Sequence, residues 1–211
     1  MIVRTYLEHA AAMPNEGRHI NAALQEDNIA VYQAYKKSIA EFAVREQQFG
    51  GPDFSLSRMS WIKTSFLWMM FRSGWGQKEG QESILQIWIP VSFFDKILGD
   101  CVISSFSMEY YANQERWKEA LASSESRMQW DPDHDPFGQP MQRKTIQLGL
   151  KGSILNEYAT KSIVKIIDVS TFVREQDRLM SSKNLSGLQI PNETLYKPAD
   201  AQLIKRIKLS E

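Results

Sequence analysis

The pattern of apolar and polar positions marks two strands in the first half of the chain, one by its β-branched and aromatic residues and one by alternation. The first is "NIAVYQAY", residues 28–35, and the second is "ESILQIWIPV", residues 82–91, which Pro90 ends. The spacing switches to the helical period in "KSIAEFAVREQQF", where Ile39, Ala40, Ala43 and Val44 share a face and Ser38 is a candidate cap. The stretch "GGPDF" then breaks the chain. "RMSWIK" reads as extended and "SFLWMMFRSGWG" as a helix, capped by Thr64 or Ser65 and closed by Gly74. Further on, "SFFDKILGDC" predicts a short helix capped by Ser92, and "NQERWKEALASS" a second, amphipathic one over Asn113–Ser124. Two short strands flank the Asp- and Pro-rich loop within "SRMQWDPDHDPFGQPMQRKTIQLGL". A helix, a short strand at "IVKIIDV" and another helix follow. Strands and helices interleave without a βαβ rhythm, so the fold class is α+β with a mixed sheet. Residues 1–183 form one domain. The polar segment 184–211 reads as a tail held loosely on it, ending in a strand or short basic helix.

The helix within "RMSWIKTSFLWMMFRSGWG" is apolar nearly all round, which predicts burial. At ~100° per residue, Ser65, Trp68 and Arg72 fall within roughly 40° of one another. A buried guanidinium needs a carboxylate or an anionic ligand, because its desolvation costs several kcal/mol. A hydroxyl, an indole and a planar fork of donors in one row suit a nucleotide: stacking for the base, paired bonds for a phosphate. Lys63, before the helix N-terminus, adds positive charge on the same side. Arg58, five residues earlier on the strand, faces the other way. The competing reading is that the tryptophans and methionines are core.

Composition narrows the picture. The 211 residues hold 25 Lys plus Arg and 25 Asp plus Glu, so no global charge draws the chain to nucleic acid. The single Cys101 excludes an intrachain disulfide and reads as a small buried apolar residue in a reducing compartment. The charged N-terminus lacks a signal peptide's apolar core, and the densest uncharged apolar run, Phe66–Phe71, is far short of the ~20 residues of a membrane span. A cytoplasmic or nuclear protein without membrane contact is expected. The three histidines have no zinc spacing. "DPDHD", residues 131–135, lacks the glycine and closing glutamate of a calcium loop, so no metal is expected.

The stretches "VYQAY", "RMSWIKTSFLWMMFRSGWG", "QWDPDHD" and "TIQLGL" resemble the domain of unknown function 4291 family over roughly residues 3 to 180. Two positions depart from that resemblance: the family usually has Pro where Thr64 stands and Arg where His134 stands. More distantly, "VYQAYKKSIAEFAVREQQF" is similar to the opening of the ADP-ribosyltransferase superfamily. That likeness implies a split, curved sheet gripping NAD. Tyr32 and Gln33 match its first motif, Ser65 and Trp68 the second, and Gln147 the third, where a glutamate is usual. It also implies cleavage of the nicotinamide–ribose bond, with Gln147 and Tyr32 as catalytic candidates and Asp131 as the substitute acid. Gln33, Lys63, Ser65, Trp68 and Arg72 are the cofactor-binding candidates. Glutamine cannot take a proton, so the expected acceptor is a nucleic acid or small molecule rather than a protein side chain. The alternatives are a nucleotide or RNA-end binding module without turnover, and a protein-interaction domain whose aromatic helix is only core.

Overall fold

A computed structural model describes residues 1–210. Its centre is β3 (Asn28–Tyr35), which carries β5 (Ser83–Pro90) antiparallel along its whole length on one edge. The other edge is shared. β2 (Ile20–Gln25) pairs with the start of β3, and β4 (Ser60–Lys63) touches it at the single pair Tyr32–Lys63. Beyond β4 the sheet continues through β8 (Pro140–Leu150) and β7 (Ser126–His134) to β6 (Val102–Ile103), which runs parallel to β7. β11 (Glu193–Tyr196) extends it past β2, and β9 (Lys165–Asp168) past β5. The result is a single α+β domain built on a nine-stranded, curled, mixed sheet. The ladder between β3 and β4 stops after one pair, so the two strands diverge past Tyr32.

One face of the sheet packs its Ile, Leu and Val side chains against α2 (Lys37–Glu46), α4 (Val91–Asp100), α6 (Gly152–Thr160) and α8 (Ala201–Ile207). A second core lies on the other side. There Tyr32 and Ile84 meet Phe66, Leu67, Met69 and Met70 of α3 (Phe66–Ser73) and Val173 of α7 (Ser170–Ser181). α3 begins where expected: Ser65 is the N-cap and its hydroxyl accepts from the Trp68 N–H at 3.2 Å. Gly74 ends the helix at φ 58°, a left-handed conformation that glycine adopts without a side-chain penalty.

Several expectations are corrected. Segment 184–211 is not a loose tail. β10 (Gln189–Pro191) pairs with β1 (Val3–Thr5), β11 joins the main sheet, and Leu203 and Ile207 of α8 are buried in the first core. Its strands are short, and β11 buries only its two ends, which leaves too weak an alternation to read. α1 (Tyr6–Ala12) was also illegible, although Thr5 and Glu8 form a capping box at its start. The strands around the Asp-rich turn are long rather than short, because β7 runs through "DPDH" with an irregularity between Pro132 and His134. Neither Ser38 nor Ser92 caps a helix: the N-cap positions of α2 and α4 are Lys36 and Pro90, without side-chain cap bonds. α5 (Gln114–Ser123) is capped by Asn113. Among the described residues no helix is long and apolar enough to cross a membrane.

Candidate functional site

Where β3 and β4 diverge, a cavity of about 590 Å³ opens. Its floor is the strand row β4–β8–β7. Lys63 pairs with Gln147, Gln147 with Gln129, and Asp131 lies two residues further along β7, on the same face as Gln129. Gln147 Nε2 donates to Gln129 Oε1 at 3.0 Å and to Asp131 Oδ2 at 2.6 Å, so both amide hydrogens are committed and hold the carboxylate in place. One wall is α3, which contributes Trp68, Met69 and Arg72; Met59, Ser60 and Trp61 approach from β4 and the loop before it. Gln33, Ala34 and Tyr35 close the far side. Gln33 fills part of the gap left by the missing ladder. Its Nε2 lies within hydrogen-bonding distance of Ser60 Oγ (2.8 Å), Tyr35 Oη (2.9 Å) and the Trp61 carbonyl (3.1 Å), and its Oε1 accepts from Tyr158.

Two cations face this cavity, and among the described residues neither forms an ion pair. Lys63 is 8% exposed, and among the described residues its only hydrogen-bond acceptor is the Trp61 carbonyl at 3.2 Å. Its ammonium lies 5.3 Å from the Trp68 ring centre. Burial, reinforced by the Arg72 charge and opposed by Asp131, pulls the Lys63 pKa down to about 7. Arg72 is exposed at the cavity mouth rather than buried, and no described residue forms an ion pair with it. The expected need for an internal carboxylate is therefore absent: water solvates the guanidinium, because the last turn of α3 emerges from the core at Phe71 and Arg72. Burial raises the Asp131 carboxyl above its usual range, while the Gln147 hydrogen bond and Lys63 pull it back. Trp68 is buried and its indole N–H has no partner among the described residues.

Six of the candidate residues meet here: Gln33, Lys63, Trp68, Arg72, Asp131 and Gln147. Two do not. Tyr32 is fully buried in the second core, with Phe66 edge-on at 5.6 Å and Gln86 Nε2 donating to its hydroxyl. Strand alternation sends it away from Gln33, its neighbour in the sequence. Ser65 is consumed by the fold: its hydroxyl caps α3 and donates to Asp133 Oδ1 at 2.9 Å. Asp133 in turn pairs with buried Arg143 at 2.8 Å. Glu193 accepts from the Phe66 N–H at 2.7 Å, so the first N–H of α3 already has a partner inside the fold.

Ser60, Trp61, Gln81 and Gln129 line the cavity unforeseen. Trp61 and Gln129 were legible in principle, being two residues from Lys63 and Asp131 on extended segments. Gln81 comes from a loop, where no period applies. Cys101 is buried, its thiol pushed up to about 12 by desolvation and donating to the Leu98 carbonyl, which makes it inert. Among the described residues no group of three or more His, Cys, Asp or Glu side chains gathers as a metal site.

No curated protein is similar enough to match the chain. A family model described as Domain of unknown function (DUF4291) matches residues 19–196. The match takes in every strand from β2 to β11 and all the residues that line the cavity, and the chain belongs to that family.

Proposed function

We propose that the cavity binds a nucleotide, with NAD as the ligand, and that the protein is an ADP-ribosyltransferase-like enzyme acting on a nucleic acid or small molecule. One observation carries the reading: Lys63 and Arg72 face a cavity lined by Trp61 and Trp68, and neither cation has an acid partner among the described residues. Burial depresses Lys63 first and the Arg72 charge adds to it, and a pyrophosphate between them offsets that second contribution. The indoles offer faces for the nicotinamide or adenine.

The chemistry needs little more. The bond from nicotinamide nitrogen to ribose C1′ breaks, nicotinamide leaves with the electron pair, and C1′ passes through an oxocarbenium-like state. The Asp131 carboxylate, held by Gln147, is the negative charge available to stabilise that state. The acceptor's nitrogen or oxygen then bonds to C1′, and its proton goes to Asp131 or water.

NAD should raise the melting temperature and quench tryptophan fluorescence, with Arg72→Ala removing both effects. Release of nicotinamide from NAD should fall in Asp131→Asn. Stabilisation by single-stranded RNA with none by NAD would favour an RNA-end binding module instead. A response to neither would leave a protein-interaction domain.

A further inference from the structure

We propose that Lys63 is a nucleophilic amine that captures the carbonyl carbon of a phosphate-bearing aldehyde as an imine. The geometry supplies what such an amine requires. Lys63 projects from β4 into the cavity, and among the described residues its nitrogen donates to a single carbonyl and no carboxylate pairs with it to hold it as an ammonium ion. The charged groups facing it are Arg72 from α3 and Asp131 from β7. Gln147 from β8 and Gln33 from β3 are neutral, and burial keeps the Tyr35 hydroxyl protonated, with its pKa up at about 12. A cation beside a desolvated lysine is a known way of freeing its lone pair near neutral pH. The same cation, Arg72, is placed to hold the ligand's phosphate.

The step balances without a co-reactant. The Nζ lone pair bonds to the carbonyl carbon, the C–O π electrons move to oxygen, and one N–H proton passes to that oxygen. Asp131 then relays the second N–H proton to the resulting hydroxyl, which leaves as water while nitrogen forms the C=N bond, so both amine hydrogens end in the water and the Asp131 carboxylate is restored. The choice of a sugar phosphate within this class rests on the NAD reading. Cleavage of NAD by water leaves ADP-ribose, whose ribose opens to an aldehyde beside a pyrophosphate.

The probe is pyridoxal 5′-phosphate, added to the full chain, reduced with borohydride and located by peptide mass mapping. Lys63 should be labelled ahead of every other lysine, with a rate that rises through about pH 7. Plain pyridoxal should label Lys63 roughly tenfold more slowly, and Arg72→Gln should abolish that difference. Lys63→Met should lose the label and keep its circular dichroism. Labelling spread evenly over surface lysines, or a wild-type Lys63 left unmodified, overturns the proposal, and the wild-type map decides this without any variant. The two readings fail separately. Thermal stabilisation by NAD without imine formation sinks only the nucleophile. An imine at Lys63 that NAD neither blocks nor slows sinks only the nucleotide.

Discussion

Lys63 carries a cost that the folded protein bears. Its amine titrates at about 7 in the fold against 10.5 in the unfolded chain, so between those values the unfolded state binds more protons. Stability from this group therefore rises with pH across that window, and below it the full penalty applies, of the order of a few kcal/mol. Lys63→Met removes the buried charge at similar volume. We expect the variant to melt higher than wild type at pH 6, with the difference shrinking as pH approaches 10. Melting curves across that range measure it, and a Lys63→Met that melts lower at pH 6 would mean the amine is satisfied in the fold. The residue was legible as a candidate because a cation stood beside an aromatic helix. Its lack of an acid partner was not, since that depends on how far Asp131 lies across two strands. Arg72 was misjudged for the opposite reason. Helical periodicity tells which side chains share a face but not where the helix leaves the core.

At the level of elements, α3 and β8 fix the site from two sides. Ser65→Ala removes the cap on the Trp68 N–H and leaves Asp133 short of a donor, so it should cost about 1–2 kcal/mol, read as a lower urea midpoint. Gly149 of β8 is the subtler support. A methyl built there would lie 2.7 Å from Met59 Sδ and 2.9 Å from Trp61 Cζ2, both in side chains that line the cavity. Gly149→Ala should cost about 1–3 kcal/mol by overpacking, and should also weaken NAD binding, because Trp61 must move. Calorimetric titration with NAD separates the two effects, and unchanged affinity would remove Trp61 from the binding surface. The strands β3 and β5, rich in β-branched and aromatic residues, and the helices α3 and α5, with helical spacing, were readable from sequence. β2 and β11 were not. β2 holds a single β-branched residue and no aromatic one, and β11 is only four residues long and buries only its ends.

Across the whole molecule, both chain ends close over one polar cluster. His9 of α1 and Glu193 of β11 are each 1% exposed, and both feel the charge of Arg143, which is paired with Asp133. Burial, with Arg143 and Arg4 adding to it, lowers the His9 pKa to about 4, below the unfolded value of 6.5. The unfolded chain thus binds more protons across that interval, and His9 makes stability rise with pH there. Glu193 has the opposite sign. Burial holds its carboxyl well above 4.5, so the folded state keeps a proton the unfolded state has lost, and stability falls as pH rises past 4.5. Between 4.5 and 6.5 the two slopes oppose each other, so the contributions of His9 and Glu193 to the wild-type melting temperature offset. Glu193→Gln keeps the shape, an acceptor for the Phe66 N–H, and neutrality. Asn21, which donates to Glu193 and accepts from Thr145, can turn its amide over while the Thr145 hydroxyl reverses its role. With the Glu193 slope removed, that of His9 is no longer opposed by it. Glu193→Gln should melt progressively higher from pH 4.5 to 6.5 and exceed wild type at pH 7. His9→Leu should show the reverse, a melting temperature that declines over the same interval. Parallel curves for all three proteins would mean that neither buried group changes its protonation on folding.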